Sequence, residues 1–425
     1  MSVQAGLSFE QAPPFSLPLR FFLTAPLFLL AAAILIVWAP ESLASRWAPQ
    51  ALALTHALTL GFLAMAMLGA LMQMLPVVAG STLPAPRAVA GFSHLSLALG
   101  TASLMTGFLT AEAAAFVSGI VLLGSGFAVF LAAAVISLAR AAGSVTVWGV
   151  RLAALCLGFT LLLGLMLALM RIGAWSLPAG SLLAAHVAFG LLGWVLLLVI
   201  GVAFQVVPMF QITPPYPPRL SRWLPPALFG LLLLRAAAAW YPPAVVQLVD
   251  AGLAAGMLLF AVVTLRLQSR RRRKLPDVTL AFWRLGMASL IASAAVWLAA
   301  QLWPGMAVSS PYPLLLAVLF IGGFGVSVVN GMLYKIVPFL TWFHLQAQLQ
   351  ARAGSIPTMK EMIAERRTRW QFRFHAAACG LLTAGPFWPS SARAGGLMLA
   401  VSALLLWLNL LSASRRFSRH GGRFS

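Results

Sequence analysis

Residues 193–208 of this chain read GWVLLLVIGVAFQVVP, and the same pattern occurs at two other places. Residues 61–76 read GFLAMAMLGALMQMLP, and residues 323–338 read GFGVSVVNGMLYKIVP. Each copy runs glycine, aromatic residue, six residues, glycine, three residues, long polar side chain, two residues and proline. The three prolines lie 132 and then 130 residues apart. This spacing predicts three units of equivalent structure.

The composition identifies the environment of these units. Of the 425 residues, 61% are hydrophobic and only 8% are charged, whereas soluble domains have about a quarter charged residues. A membrane-spanning helix needs about 20 apolar residues, so the chain can supply about a dozen. The two cysteines, Cys156 and Cys379, lie far apart in apolar stretches. This excludes a disulfide framework or a C-x-x-C pair and predicts two small core residues.

Apolar stretches interrupted by proline, glycine and charge predict twelve transmembrane helices. They are expected near residues 20–39, 52–79, 91–110, 114–137, 148–170, 181–209, 223–240, 244–266, 281–302, 313–339, 372–388 and 394–412. The repeated motif falls on the second, sixth and tenth helices, so each unit contains four helices. The predicted fold is an all-α polytopic membrane protein with twelve transmembrane helices in three pseudo-symmetric four-helix repeats. The repeats cover residues 1–140, 141–270 and 271–425, the last with a cytoplasmic loop at 341–370 and a basic carboxy-terminal tail.

The basic residues predict the orientation in the lipid bilayer. If the amino terminus is cytoplasmic, only Arg46, Arg171 and Arg393 of the 28 basic residues fall on the opposite side, apart from two within spans. Because cytoplasmic connections carry an excess of lysine and arginine, both termini are expected in the cytoplasm. The net charge of +21 is thus interpreted as a topology signal, and nucleic acid is not expected as a partner.

Three polar residues occupy the same position in the three motifs. Gln73, Gln205 and Lys335 each lie three residues before the motif proline. One hypothesis is a ring of polar groups that lines a pathway or contacts a ligand. The other is a structural role, in which the side chain satisfies the carbonyl freed by the proline or extends to the cytoplasmic interface.

Two histidines are candidate ligands. His56 lies twenty residues before Pro76 and His186 lies twenty-two before Pro208, so both are expected about 30 Å along their helices, near the periplasmic end. An imidazole within a span needs a partner, a metal ion or a wet cavity, and imidazole is a common ligand of metals and haem. A single interhelical hydrogen bond is the alternative. The other four histidines are interpreted as structural.

One ion pair is predicted within the spans. Arg235 and Asp250 flank the turn at residues 240–243 at similar distances, so a hairpin of the seventh and eighth helices would bring them to the same depth. Each would be costly in the membrane if unpaired. A structural clamp is favoured over a proton or substrate relay.

The architecture and two strings carry a resemblance to a known superfamily. Residues 55–80 read THALTLGFLAMAMLGALMQMLPVVAG, and residues 184–210 read AAHVAFGLLGWVLLLVIGVAFQVVPMF. Twelve helices in three units, with histidines near the periplasmic ends of helices 2 and 6, resemble the catalytic subunit of haem-copper oxidases and its cbb3-like and NnrS-like relatives. The resemblance implies a bacterial cytoplasmic (inner) membrane protein in which His56 binds haem and His186 binds copper, with respiratory-chain subunits as candidate partners.

The chain also departs from that superfamily. Residues 313–340 contain no histidine where two haem ligands are expected, and residues 223–241 lack the histidine pair that binds copper. A working oxidase is therefore not expected, and no catalytic residue is assigned. The remaining possibility is one haem b or copper ion held by His56 and His186, with Met65 or Met332 as a further candidate ligand.

Arg171 and Trp175 are expected beyond helix 5, near a haem propionate or as an interfacial anchor.

Two function classes follow. The first is a haem-binding or copper-binding protein with a role in nitric oxide and respiratory stress. The second is a cofactor-free transporter or an accessory subunit for assembly of a respiratory complex.

Overall fold

A computed structural model describes residues 13–173, 179–272, 275, 277–349 and 356–424, which include twelve long helices. The helices are α1 Ser16–Trp38, α2 Pro49–Val77, α3 Pro86–Thr110, α4 Ala113–Arg140, α5 Val145–Arg171, α6 Gly180–Gln211, α7 Pro218–Ala236, α8 Pro243–Ser269, α9 Val278–Leu302, α10 Pro311–Leu349, α11 Glu365–Ala384 and α12 Pro389–Arg419. The described residues contain no strand. Trp175 and residues 273–274 and 350–355, which the sequence predictions include, lie outside the described residues.

Ten of the helices in the described ranges are long and apolar enough to cross a membrane. The protein is therefore an all-helical membrane protein. The exceptions are α7, which carries three arginines, and α11, whose first nine residues include Glu365 and four arginines. Both coincide with predicted spans, but their charge leaves the count of twelve crossings a prediction.

Three helices change to π-helical geometry at the same place in the motif. The π segments are Ala57–Ala64 in α2, Ala188–Leu196 in α6 and Val318–Val326 in α10. Each ends three residues after the first glycine of its motif. The π-helix is rare and often lies next to functional positions. His56 and His186 lie within two residues of the start of their π segments.

The motif glycines allow close contact with the preceding helix. A Cβ atom at any of the six would lie 3.0 Å or less from that helix. The contacts are Gly61 with Phe28, Gly69 with Phe21, Gly193 with Cys156, Gly201 with Gly149, Gly323 with Ser289 and Gly331 with Phe282. For each copy of the motif the two contacted residues are seven apart, which places them on one face of the helix.

The helices also have corresponding neighbours in each set of four. The first helix packs on the second (α1–α2, α5–α6, α9–α10), and the third packs on the fourth (α3–α4, α7–α8, α11–α12). The fourth packs on the first of the next set (α4–α5, α8–α9, α12–α1), so α12 closes onto α1. Towards the centre, α10 contacts both α2 and α6.

The sequence prediction for the ends of α10 and α11 was only partly right. Pro338 lies inside α10, which continues to Leu349, and α11 begins at Glu365. Much of the expected loop at 341–370 is thus helical. A short helical turn, Met359–Glu361, precedes α11, and its Glu361 carboxylate accepts hydrogen bonds from the Thr358 backbone N–H and hydroxyl. These hydrogen bonds hold the pKa of the Glu361 carboxyl below its usual range.

Candidate functional site

The imidazole of His56 is oriented by its own helix and by α3. Its Nδ1 lies 2.8 Å from the Leu52 carbonyl oxygen, one turn earlier in α2. The ring stacks on Phe108 of α3, with centroids 5.1 Å apart and planes at 25°. These two contacts fix both the rotamer and the plane of the ring.

The imidazole of His186 is oriented by α5. Its Nδ1 lies 3.0 Å from the Thr160 carbonyl oxygen. The ring occupies the space next to Gly164, where a Cβ atom would lie 3.0 Å from His186 Cε1. A glycine at this position of α5 is therefore what admits the ring between the two helices.

Both histidines are held in the same tautomer. A carbonyl oxygen can only accept a hydrogen bond, so Nδ1 carries the proton in each ring and Nε2 is left as the basic nitrogen. Anchoring of one ring nitrogen on a carbonyl is the usual arrangement for a metal-binding histidine. The pair can thus offer two neutral Nε2 donors.

The described residues do not complete a larger metal site around this pair. No three His, Cys, Asp or Glu side chains within the described ranges could share one metal ion. Met65 lies nine residues after His56 in the same helix, more than about 10 Å away, so it cannot bind the same ion. Met332 lines the central cavity instead. The spacing along α2 argues against Met65 as a ligand, and Met332 stays a prediction.

Arg171 ends α5 at the same end of the bundle as His186 and is exposed. Arg171 lies two turns beyond Gly164, the residue that contacts the His186 ring. Because its side chain is exposed, the guanidinium lies at the surface. Its predicted companion Trp175 is outside the described residues.

The three polar motif positions differ in their surroundings. Lys335 Nζ forms an ion pair with Asp277 Oδ2 at 2.7 Å, and Asp277 also caps the start of α9 through the Thr279 N–H. Gln73 is buried, and its Oε1 has no partner among the described residues. Gln205 is half-buried.

A cavity of about 70 Å³ lies between α2, α6 and α10 and is lined almost entirely by apolar groups. Its lining repeats at equivalent motif positions: Ala70, Val202 and Met332 form one layer, and Met74, Val206 and Ile336 form the next. The second layer consists of the residues that directly follow the polar motif positions. Neither glutamine nor Lys335 lines this cavity, so the described lining at this depth is apolar.

Arg235 and Asp250 form an ion pair between α7 and α8, with Nε 2.6 Å from Oδ1. The side chains are 28% and 13% exposed. Both charges are therefore largely withdrawn from water and compensate each other.

The sequence interpretation treated His375 and Cys379 as structural residues, but they form a buried polar cluster. His375 Nε2 lies 2.8 Å from Ser327 Oγ and 3.5 Å from Cys379 Sγ. The sequence signal was the i, i+4 spacing of a histidine and a cysteine on α11. Their proximity to Ser327 required the tertiary structure, because Ser327 lies on α10.

No known protein-family model matches the chain, and no curated protein matches it.

Proposed function

We propose that the protein is built from three equivalent four-helix units around a pseudo-threefold axis and is a divergent relative of haem-copper oxidase subunit I. Four observations support the proposal: the matched π segments, the matched glycine contacts, the recurring helix neighbours and the layers of equivalent residues around the central cavity. In this arrangement all twelve helices cross the bacterial cytoplasmic membrane, and both termini are cytoplasmic.

We further propose that His56 and His186 hold one haem b or one copper ion, with a role in nitric oxide handling or respiratory stress. The observation that carries this proposal is that both rings have Nδ1 fixed on a backbone carbonyl, which leaves both Nε2 atoms as donors. This donor set fits the axial pair of a haem or a two-imidazole copper site. It does not fit a copper site of three imidazoles. Bound haem or copper would supply one-electron chemistry.

The visible absorption spectrum of the protein purified from a bacterial membrane tests this proposal. We expect a haem Soret band or bound copper by elemental analysis. The Soret band should be lost, or the copper content should fall by one ion per chain, in His56→Ala and in His186→Ala, since each removes one donor. His420→Ala is the matched control, because that ring is exposed at the end of α12. A colourless, copper-free wild-type protein would refute the proposal.

Gly164→Leu tests the same site without altering a donor. The added side chain must occupy the space of the His186 ring, 3.0 Å from the Cβ position, so the Nδ1 contact with Thr160 should break. We expect loss of the haem or copper signal from a protein that still elutes as a single species. Gly158→Leu is the control on the same helix, because no atom lies within 4 Å of its Cβ position. Equal signals in the two variants would contradict the assigned role of Gly164.

A cofactor-free transporter or an accessory subunit of a respiratory complex is the second candidate function. The apolar central cavity between α2, α6 and α10 favours it, because its described lining contains no His, Cys, Asp or Glu and no charged side chain. A preparation without haem and copper that co-purifies with respiratory-chain subunits would support this alternative.

The orientation is tested separately by cysteine labelling. Ser418→Cys, near the end of α12, should react with a membrane-impermeant maleimide only when the cytoplasmic side is accessible. Labelling from the periplasmic side would reverse the proposed topology.

A further inference from the structure

A second cavity, of about 60 Å³, lies among α1, α2, α10, α11 and α12. Its lining is apolar except for Ser42, Thr55, His375 and Cys379, and includes no Asp, Glu, Lys or Arg among the described residues. His56 and His186 do not line it. The cavity is therefore separate from the proposed two-imidazole site.

Polar atoms in this cavity are not matched by hydrogen-bond partners. His375 is 1% exposed, and its Nδ1 has no partner among the described residues. Ser42 is fully buried, and its Oγ also has none. The other ring nitrogen of His375, Nε2, lies next to both Ser327 Oγ and Cys379 Sγ. Unsatisfied buried polar groups are rare, so this cavity is unusually polar for its apolar surroundings. The two metal-binding atom types in it that lie close together are His375 Nε2 and Cys379 Sγ.

We propose that His375 Nε2 and Cys379 Sγ bind one soft monovalent metal ion, Cu(I) in the cell. Imidazole and thiolate are ligands that suit copper, and thiolate selects Cu(I) over harder ions. The two residues lie one turn apart on α11 and project from the same face. No backbone movement is then needed to bring the two donors to one ion.

The separation of the donors fits a shared ion. At bond lengths of about 2.0 Å to nitrogen and about 2.3 Å to sulfur, as in zinc sites, atoms 3.5 Å apart subtend an angle of about 109° at the ion. This angle leaves room for a third ligand. Ser327 Oγ, 2.8 Å from His375 Nε2, is in reach for that position.

The lack of charged side chains in the described lining of the cavity favours a monovalent ion. Binding forms one metal–sulfur bond and releases the thiol proton of Cys379, so Cu(I) and the thiolate together are neutral. A divalent ion would leave one net positive charge in an apolar cavity whose described lining has no carboxylate. An uncompensated charge inside a membrane protein is costly.

Anaerobic titration of the purified protein with Cu(I) in the presence of a chromophoric chelator tests the proposal. We expect a tight site whose affinity falls at least about tenfold in Cys379→Ser and in His375→Gln. Cys156→Ser is the matched control, because it removes the other buried thiol. Unchanged Cu(I) affinity in Cys379→Ser would overturn the proposal.

X-ray absorption of the copper-loaded wild-type protein keeps the test independent of how the variants fold. One sulfur neighbour at about 2.3 Å is expected at the copper, and its absence would exclude Cys379 as a ligand. The sulfur signal should persist in His56→Ala and His186→Ala. This result distinguishes the two sites. If His56 and His186 bind no haem or copper, the sulfur neighbour from Cys379 is still expected at the copper.

Discussion

Gly149→Ala should lower the thermal stability of the protein sharply, whereas Gly158→Ala on the same helix should not. A Cβ at Gly149 would lie 2.7 Å from the Gly201 Cα atom. This neighbour is backbone, so the contact is relieved only if α5 and α6 move apart. Overpacking of this kind costs about 1–3 kcal/mol, and more when the backbone cannot adjust. In lipid, where close approach of small residues drives helix association, little else compensates this loss.

The measurement is the melting temperature of detergent-solubilised protein, determined from the loss of the folded peak in size-exclusion chromatography after heating. Gly158 is the control because no atom lies within 4 Å of its Cβ position. Gly201→Ala should match Gly149→Ala, because its Cβ would lie 3.0 Å from the Gly149 Cα atom. If Gly149→Ala melted at the temperature of Gly158→Ala, the proposed backbone contact between α5 and α6 would be refuted.

Replacing either member of the Arg235–Asp250 pair should reduce the yield of folded protein, and replacing both should restore much of it. Arg235→Leu leaves the Asp250 carboxylate largely withdrawn from water, and Asp250→Ala leaves the Arg235 guanidinium uncompensated. An unpaired charge costs up to about 3 kcal/mol on insertion scales. The double variant removes both charges, so its loss should be smaller than the sum of the single losses.

Yield and melting temperature of the four proteins in this cycle give the coupling energy. The pair formed by Arg369 and Glu365 is the control, because these side chains are 57% and 61% exposed and 3.8 Å apart. Breaking it should change stability by at most about 1 kcal/mol. Equal losses in the single and double Arg235 and Asp250 variants would show that the pair is not a clamp.

The positions of the helices could be predicted from the sequence because apolar stretches end at proline, glycine or charge. The helix expected near residues 181–209 is Gly180–Gln211, and the one expected near 20–39 is Ser16–Trp38. α11 was expected to begin near residue 372 and begins at Glu365, and α12 was expected to end near residue 412 and ends at Arg419. The largest departure is α10, which was expected to end near Pro338 and continues to Leu349. A proline removes one backbone hydrogen bond, but neighbouring helices can hold the helix together beyond it.

The candidate site was only partly predictable. The sequence identified His56 and His186 from the cost of an imidazole in a membrane. It did not reveal which atoms orient them, since Phe108 and Thr160 come from α3 and α5. The sequence also left open two roles for Gln73, Gln205 and Lys335, because their surroundings come from other helices or from distant parts of the chain. Lys335 pairs with Asp277, 58 residues earlier in the chain.

The sequence by itself determined the membrane environment, the placement of the helices and the three copies of the motif, because these depend on hydrophobicity and spacing along the chain. Only the tertiary structure decided which side chains meet: the His186 ring against Gly164, the apolar layers around the central cavity, and His375 and Cys379 beside Ser327. The physical reason is that helices in a membrane associate through close packing and hydrogen bonds between helices distant in sequence. Which face of each helix turns inward therefore depends on all its neighbours together.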